Sequence, residues 1–146
     1  MERKAKLVVD ASVAVKWFAT EKYSEKALKI RDAYFRGELK LIAPDLIYYE
    51  IANALRFHRK LKFSKNDIVN AVNSIKLLHI TCSPNRLDWL KASELSLDFN
   101  INIYDAIYIA FAVNRECRLV TSDEKLYNKL EKFQDNVIVL LKDYNI

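Results

Sequence analysis

The chain of 146 residues has a single glycine, Gly37, and only two prolines, Pro44 and Pro84. Typical usage of about 7% would give roughly ten glycines. Tight hairpin turns lean on glycine, so their scarcity argues against an all-β fold and for helices joined by short polar connections. The two cysteines, Cys82 and Cys117, have no metal-ligand spacing. Among their apolar neighbours they read as reduced core thiols, with a disulfide between them left open. No stretch approaches 18 uncharged apolar residues, which excludes a membrane-spanning helix. The opening Met1-Glu2-Arg3-Lys4-Ala5-Lys6 is basic like the head of a signal peptide, but the apolar run behind it is short and broken by Asp10. The expected location is therefore cytoplasmic, with no membrane partner.

What remains is a chain that is 51% hydrophobic, enough for one domain over residues 1–146 with a core of its own. Lys and Arg outnumber Asp and Glu by 24 to 19, a net charge of +5 that suits a polyanion such as nucleic acid. Apolar runs read as strands at 6–10, 39–43, 78–82, 118–121 and 137–141. Helical spacing falls at 12–19, 24–36, 84–99, 103–115 and 123–132, with Ala27, Leu28, Ile30 and Tyr34 as core positions of the second. Pro44 is placed to open a helix that runs to about residue 60, and Ser64-Lys65-Asn66-Asp67 is a capping-box variant opening one that runs to about 77. Strands separated by helices predict an α/β fold, a parallel sheet with helices on both faces.

Four acids stand where apolar surroundings make acids costly. Asp10 ends Leu7-Val8-Val9, and Glu50 interrupts Leu46-Ile47-Tyr48-Tyr49-Glu50-Ile51-Ala52. Asp105 is the only charge between Ile103 and Val113, and Asp123 ends Leu119-Val120-Thr121-Ser122. Each has a plainer reading. Asp10 and Asp123 are placed to cap the helices that follow, Asp105 to favour a helix dipole, and Glu50 to pair with Lys16 or Arg56. Taken together, four such acids point to a shared counter-ion, and a divalent cation is the simplest one. In an open parallel sheet, ligands bind beyond the carboxyl ends of the strands, where Asp10 and Asp123 both fall.

The string Val8-Val9-Asp10-Ala11-Ser12-Val13 resembles the opening motif of the PIN-domain family, especially its VapC-type toxins. Pro44 through Leu55, Tyr104 through Ala110 and Leu119 through Leu126 resemble its second, third and fourth motifs, in order and at family spacing. Two departures stand out. Glu116-Cys117-Arg118 occupies a stretch where the family commonly has a glycine, and Ile103 a place where a small polar residue is frequent. The resemblance implies a three-layer α/β/α PIN-like domain around a central, mainly parallel sheet of four to five strands. It also implies a Mg²⁺- or Mn²⁺-dependent endoribonuclease with Asp10, Glu50, Asp105 and Asp123 as catalytic acids and metal ligands. Ser12 and Thr121 are the implied supporting residues. The implied partners are an RNA substrate, a second copy in a homodimer and a cognate antitoxin of a VapBC-type pair.

Hard cations take oxygen ligands, acidify bound water and stabilise the leaving oxygen, so the expected products are 5′-phosphate and 3′-hydroxyl ends. For RNA contact the residues named are Lys16, Arg56, Arg59 and Lys60, with Trp17 either stacking a base or buried in the core. His58 and His79 have no spacing that assigns them a role. Three rival readings stand beside this one: a non-catalytic PIN-like module binding RNA or protein, a phosphoryl-accepting signalling domain, and a DNA-directed nuclease. Ala11 after Asp10 counts against the second, which wants an acidic pair there. The short chain counts against the third.

Overall fold

The structure, a computed structural model, describes residues 3–131, 133 and 137–146. Strands β1 (Ala5–Val9), β2 (Leu39–Pro44), β3 (Thr81–Cys82), β4 (Arg118–Thr121) and β5 (Ile138–Leu140) form one sheet in the order β3-β2-β1-β4-β5. Every pairing is parallel, with Val8 opposite both Ile42 and Leu119. Helices α1 (Ala11–Ala14), α2 (Ser24–Phe35), α3 (Leu46–Arg56) and α4 (Lys65–Leu78) precede the sheet's second half. They are followed by α5 (Arg86–Phe99), α6 (Ile103–Asn114) and α7 (Glu124–Lys129). The chain builds outward from β1 to β3, then returns to β4 on the other side of β1. This reversal opens a crevice at the carboxyl ends of β1 and β4.

Because successive strand residues face opposite ways, the sheet separates two cores. Leu7, Val9, Leu41 and Val120 pack with Ala27 and Ile30 of α2, with Ile47, Ile51 and Leu55 of α3, and with Ile75 of α4. Val8 and Leu119 pack with Ala92 and Leu95 of α5, Leu126 of α7, and α6, which is buried continuously from Ala106 to Ala112. The result is the three-layer α/β/α arrangement with five strands.

Several boundaries move, each for a physical reason. Pro44 ends β2 instead of opening a helix. Ala43 and Asp45 donate to Ile80 and Cys82 beside β3, so the proline lacks its N–H on the side where β1 has already ended. The helix that follows stops at Arg56, short of residue 60, because His58 organises the next turn: its Nδ1 accepts from the N–H groups of Lys60 and Leu61. The expected strand at 78–82 shrinks to two residues, since α4 runs through Leu78 and His79 caps it in left-handed backbone. The helix expected at 12–19 is one α turn followed by a 3₁₀ turn over Val15–Trp17. The α7 helix stops at Lys129 against the expected 132, and Lys132 lies outside the described residues. Both cysteines are free, and Cys82 is exposed, not a core thiol.

One ion pair locks the second core. Asp88 is fully buried, and its carboxylate takes Arg115 in two parallel bonds of 2.9 and 3.0 Å. It also accepts from Asn114 and from the Asn85 N–H, closing the capping box of α5 and tying it to α6. The Arg115 guanidinium lies 3.9 Å from the Phe111 ring centroid. Asp88→Ala is expected to destabilise by about 3–5 kcal/mol, because it leaves Arg115 without its partner. Urea titration of the variant checks this, and a loss near zero would show the pair to be dispensable.

Candidate active site

All four acids lie at the carboxyl edge of the sheet or on helices that start there. Asp10 follows β1 and caps α1, with Oδ1 accepting from the Val13 N–H at 3.2 Å and from the Ser12 hydroxyl at 2.5 Å. Its Oδ2 accepts from Thr121 at the end of β4, at 2.5 Å. Ser12 Oγ in turn accepts from the Ser122 N–H, and Thr121 Oγ1 from the Asp123 N–H. One hydrogen-bonded net thus joins the ends of β1 and β4. Asp123 caps α7 through Leu126, so both expected caps exist. A carboxylate has about four lone-pair sites, and a cap uses one. Asp105 sits in the first turn of α6, its N–H held by Asn102, and Glu50 lies within α3.

The acids form a row in which each feels the next. Burial raises the Asp10 pKa to about 6, with the Glu50 charge adding to the rise and the Ser12, Thr121 and Val13 bonds opposing it. Burial also lifts Glu50, with Asp105 pushing the same way, and it lifts Asp105, with Asp123 pushing likewise. Glu50 has no ion pair among the described residues, because Lys16 is taken by Glu21 at 3.2 Å. Among those residues, no three His, Cys, Asp or Glu side chains close around a common point.

The buried side-chain polar atoms that lack a partner among the described residues are Glu50 Oε1, the Tyr108 hydroxyl and Ser122 Oγ. Tyr108 lies beside Glu50 with no well-aligned bond to it, and burial followed by the Glu50 charge drives its pKa far up. Ser122 is next to Asp123. Unpartnered buried polar atoms are scarce in folded proteins and call for an explanation. Here they fall at one edge, beside carboxylates that repel one another. Oxygen donors of this kind fit a hard divalent cation.

The basic residues divide. The Lys16 side chain is 9% exposed and engaged by Glu21, so it does not face solvent as an RNA contact. Arg56, Arg59 and Lys60 are exposed at the end of α3, with Arg56 stacked 4.7 Å from the Phe57 ring centroid. Trp17 is core, its indole donating to the Ala27 carbonyl at 2.8 Å. His58 bonds Glu21 at 2.7 Å and borders a cavity of about 400 Å³ with Thr20, Lys22, Arg59 and Lys60. Sequence patterning pointed to neither Glu21 nor Tyr108 as part of this region. Both rest on contacts between distant segments.

The PIN-domain family model matches residues 7–132. The chain belongs to the PIN-domain family. A comparison with curated proteins returns no match to it. Solved structures similar to this PIN domain include a toxin–antitoxin complex from Klebsiella pneumoniae, at 13% identity and a TM-score of 0.66, covering 96% of this chain and 99% of that one. PAE2754 from Pyrobaculum aerophilum is 22% identical with a TM-score of 0.65, covering 94% and 85%. VapBC2 from Rickettsia felis, bound to a promoter DNA fragment, is 10% identical with a TM-score of 0.67, covering 92% and 98%. At these identities the likeness is one of fold. Among the described residues no helix is long and apolar enough to cross a membrane.

The raised Asp10 pKa has a sign that can be checked. Between about pH 4 and 6 the folded chain holds a proton that the unfolded chain has released, so stability in chelator falls as pH rises through that window. Asp10→Asn should remove Asp10's share of the fall and leave that of Glu50 and Asp105, making the variant more stable than wild type by roughly 2–3 kcal/mol above pH 6, with the two converging near pH 4. Melts in EDTA across this range decide it, and identical profiles would contradict the buried, repelled state of Asp10.

Proposed function

We propose that this PIN domain is a metal-dependent endoribonuclease, the toxin of a VapBC-type pair. The observation that carries the reading is the row of mutually repelling acids Asp10, Glu50, Asp105 and Asp123, with Glu50 Oε1 buried and unpartnered in it and the Tyr108 and Ser122 hydroxyls unpartnered next to it. These four residues would hold Mg²⁺ or Mn²⁺, which when bound supplies an activated water and charge neutralisation at a phosphodiester. The chain's own part is positioning. Ser12 and Thr121 fix both oxygens of Asp10, and Asn102 sets the first turn that carries Asp105. Helix N-termini at α1, α6 and α7 direct positive partial charge at the same edge, which stabilises the acids and an incoming phosphate alike.

Arg56, at the end of the helix that carries Glu50, and Arg59 and Lys60 in the turn after it would take the RNA backbone as it leaves the acids. The expected ends are 5′-phosphate and 3′-hydroxyl. A cognate antitoxin is part of the proposal, supported by the likeness to the toxin of toxin–antitoxin complexes. So is a homodimer, for which exposed Leu87, Leu90 and Leu97 along α5 offer an apolar face. A cytoplasmic location follows from the proposed substrate.

The test is cleavage of a structured RNA pool by wild type and Asp105→Asn, with and without Mn²⁺ or Mg²⁺, with the new ends mapped. Wild type should give metal-dependent 5′-phosphate ends, and the variant should lose at least about a hundredfold in rate, since it alters a group at the reacting phosphate. Cleavage unchanged in the variant would remove Asp105 from the site. A folded, metal-loaded wild type that binds RNA without cutting would favour the non-catalytic module.

A further inference from the structure

The amino edge of the sheet, opposite the acid row, carries a groove of about 890 Å³. Arg3, Lys4, Lys6, Lys40 and Arg118 line it. Lys6 and Lys40 are register partners on adjacent strands, so two like charges stand side by side about 5 Å apart at the backbone. Such pairs are destabilising unless something offsets them. Arg118 adds a third charge from β4, opposite Leu7. None of the five cations has an ion pair among the described residues. Arg115, also in the wall, is already held by Asp88, and Glu116 is the one acid that lines the groove among the described residues. The groove therefore keeps a positive potential that Glu116 offsets only in part.

The lining chemistry selects the class of ligand. Protein partners draw affinity from buried apolar anchors. Among the described residues, none of the exposed large apolar side chains lines this groove. Beside the small or buried Ala5, Leu7 and Cys117, what lines it are flexible cations and the half-buried Tyr144 ring, the combination that holds phosphates and stacks a base of a single strand. We infer that this groove is a second RNA-binding site, which grips the phosphate backbone of a substrate strand at the sheet edge remote from the acids. The inference rests on the ribonuclease reading for the identity of its polyanion. Roughly 17 Å of strand separates the two edges, so a long RNA reaches both and a dinucleotide reaches only the acids.

The test uses the full chain carrying Lys6→Gln, Lys40→Gln and Arg118→Gln together, with unchanged melting confirming the fold. Binding of a labelled single-stranded RNA of about 16 nucleotides is followed by anisotropy against salt, in an Asp105→Asn background that keeps the RNA intact. The triple change should weaken binding on the order of tenfold at low salt and lower the slope of log K against log salt by about 2. With Asp105 restored, cleavage of a dinucleotide probe should be unaffected. Unchanged affinity and slope would overturn the inference, as would poly-glutamate binding the groove more tightly than RNA, which would indicate an acidic protein instead. Metal-dependent cleavage together with unchanged binding sinks the groove and leaves the ribonuclease. Groove-dependent RNA binding without any cleavage sinks the ribonuclease and leaves the groove.

Discussion

The fold depends on how it tolerates the Asp10 carboxylate between two apolar strand ends. A buried charge of this kind costs several kcal/mol unless hydrogen bonds meet it. Here the bonds come from Ser12, Thr121 and the Val13 N–H, so the end of β1, the start of α1 and the end of β4 become one unit. The same net passes through Ser122 and Asp123 to the start of α7. The crevice at the switch point is therefore held open by polar contacts, whereas the two cores on either side are closed by apolar ones. Rigidity at the strand ends lets Glu50 and Asp105 approach from two different helices without a direct bond to Asp10.

Asp88 shows the alternative treatment of a buried acid. It too is buried, but Arg115, Asn114 and the Asn85 N–H leave neither carboxylate oxygen unpartnered. Burial pushes its pKa up, and those partners outweigh burial, so the net shift is downward. Asp10, Glu50 and Asp105 are shifted the other way, since each is desolvated and faces another acid. The contrast separates a carboxylate matched by protein partners from a row left desolvated and mutually repelled, which is the physical content of perturbed pKa values as a mark of a candidate functional site.

Much of this was legible in the sequence, because the relevant signals are local. An acid ending an apolar strand, or alone in an apolar helix, is visible in a short window, and all four acids of the row stand out that way. The alternation of strand and helix predicts the parallel sheet, and Ser64 with Asp67 the start of α4. What was hidden depends on partners far apart in the chain. Asp88 reads as an ordinary surface acid until Arg115 folds over it, and Lys16 reads as free until Glu21 takes it. Chain breaks were hidden too, because His79, Asn100 and Glu116 adopt left-handed backbone that glycine would have announced. Glu116 is the clearest case. It stands in the stretch where the family commonly has a glycine, and its φ of 52° shows the backbone keeping that conformation without one.

The charge distribution follows from the topology. In a parallel sheet with helical crossovers, strand carboxyl ends and helix N-termini share one edge, and strand amino ends and helix C-termini share the other. Helix dipoles therefore favour acids at the first edge and cations at the second. Asp10, Asp105 and Asp123 occupy helix N-caps or first turns at the first edge. Arg115 caps the C-terminus of α6, and Lys6, Lys40 and Arg118 extend the cationic side along the strand starts. A net charge of +5 is thus divided between two opposed fields. For a polyanion, the negative edge is repulsive until a cation bridges it, while the positive edge attracts without help. On the proposed ribonuclease reading, binding and cleavage then need not share residues, and a strand captured by the cationic edge would remain uncut until the acid row is charged with metal.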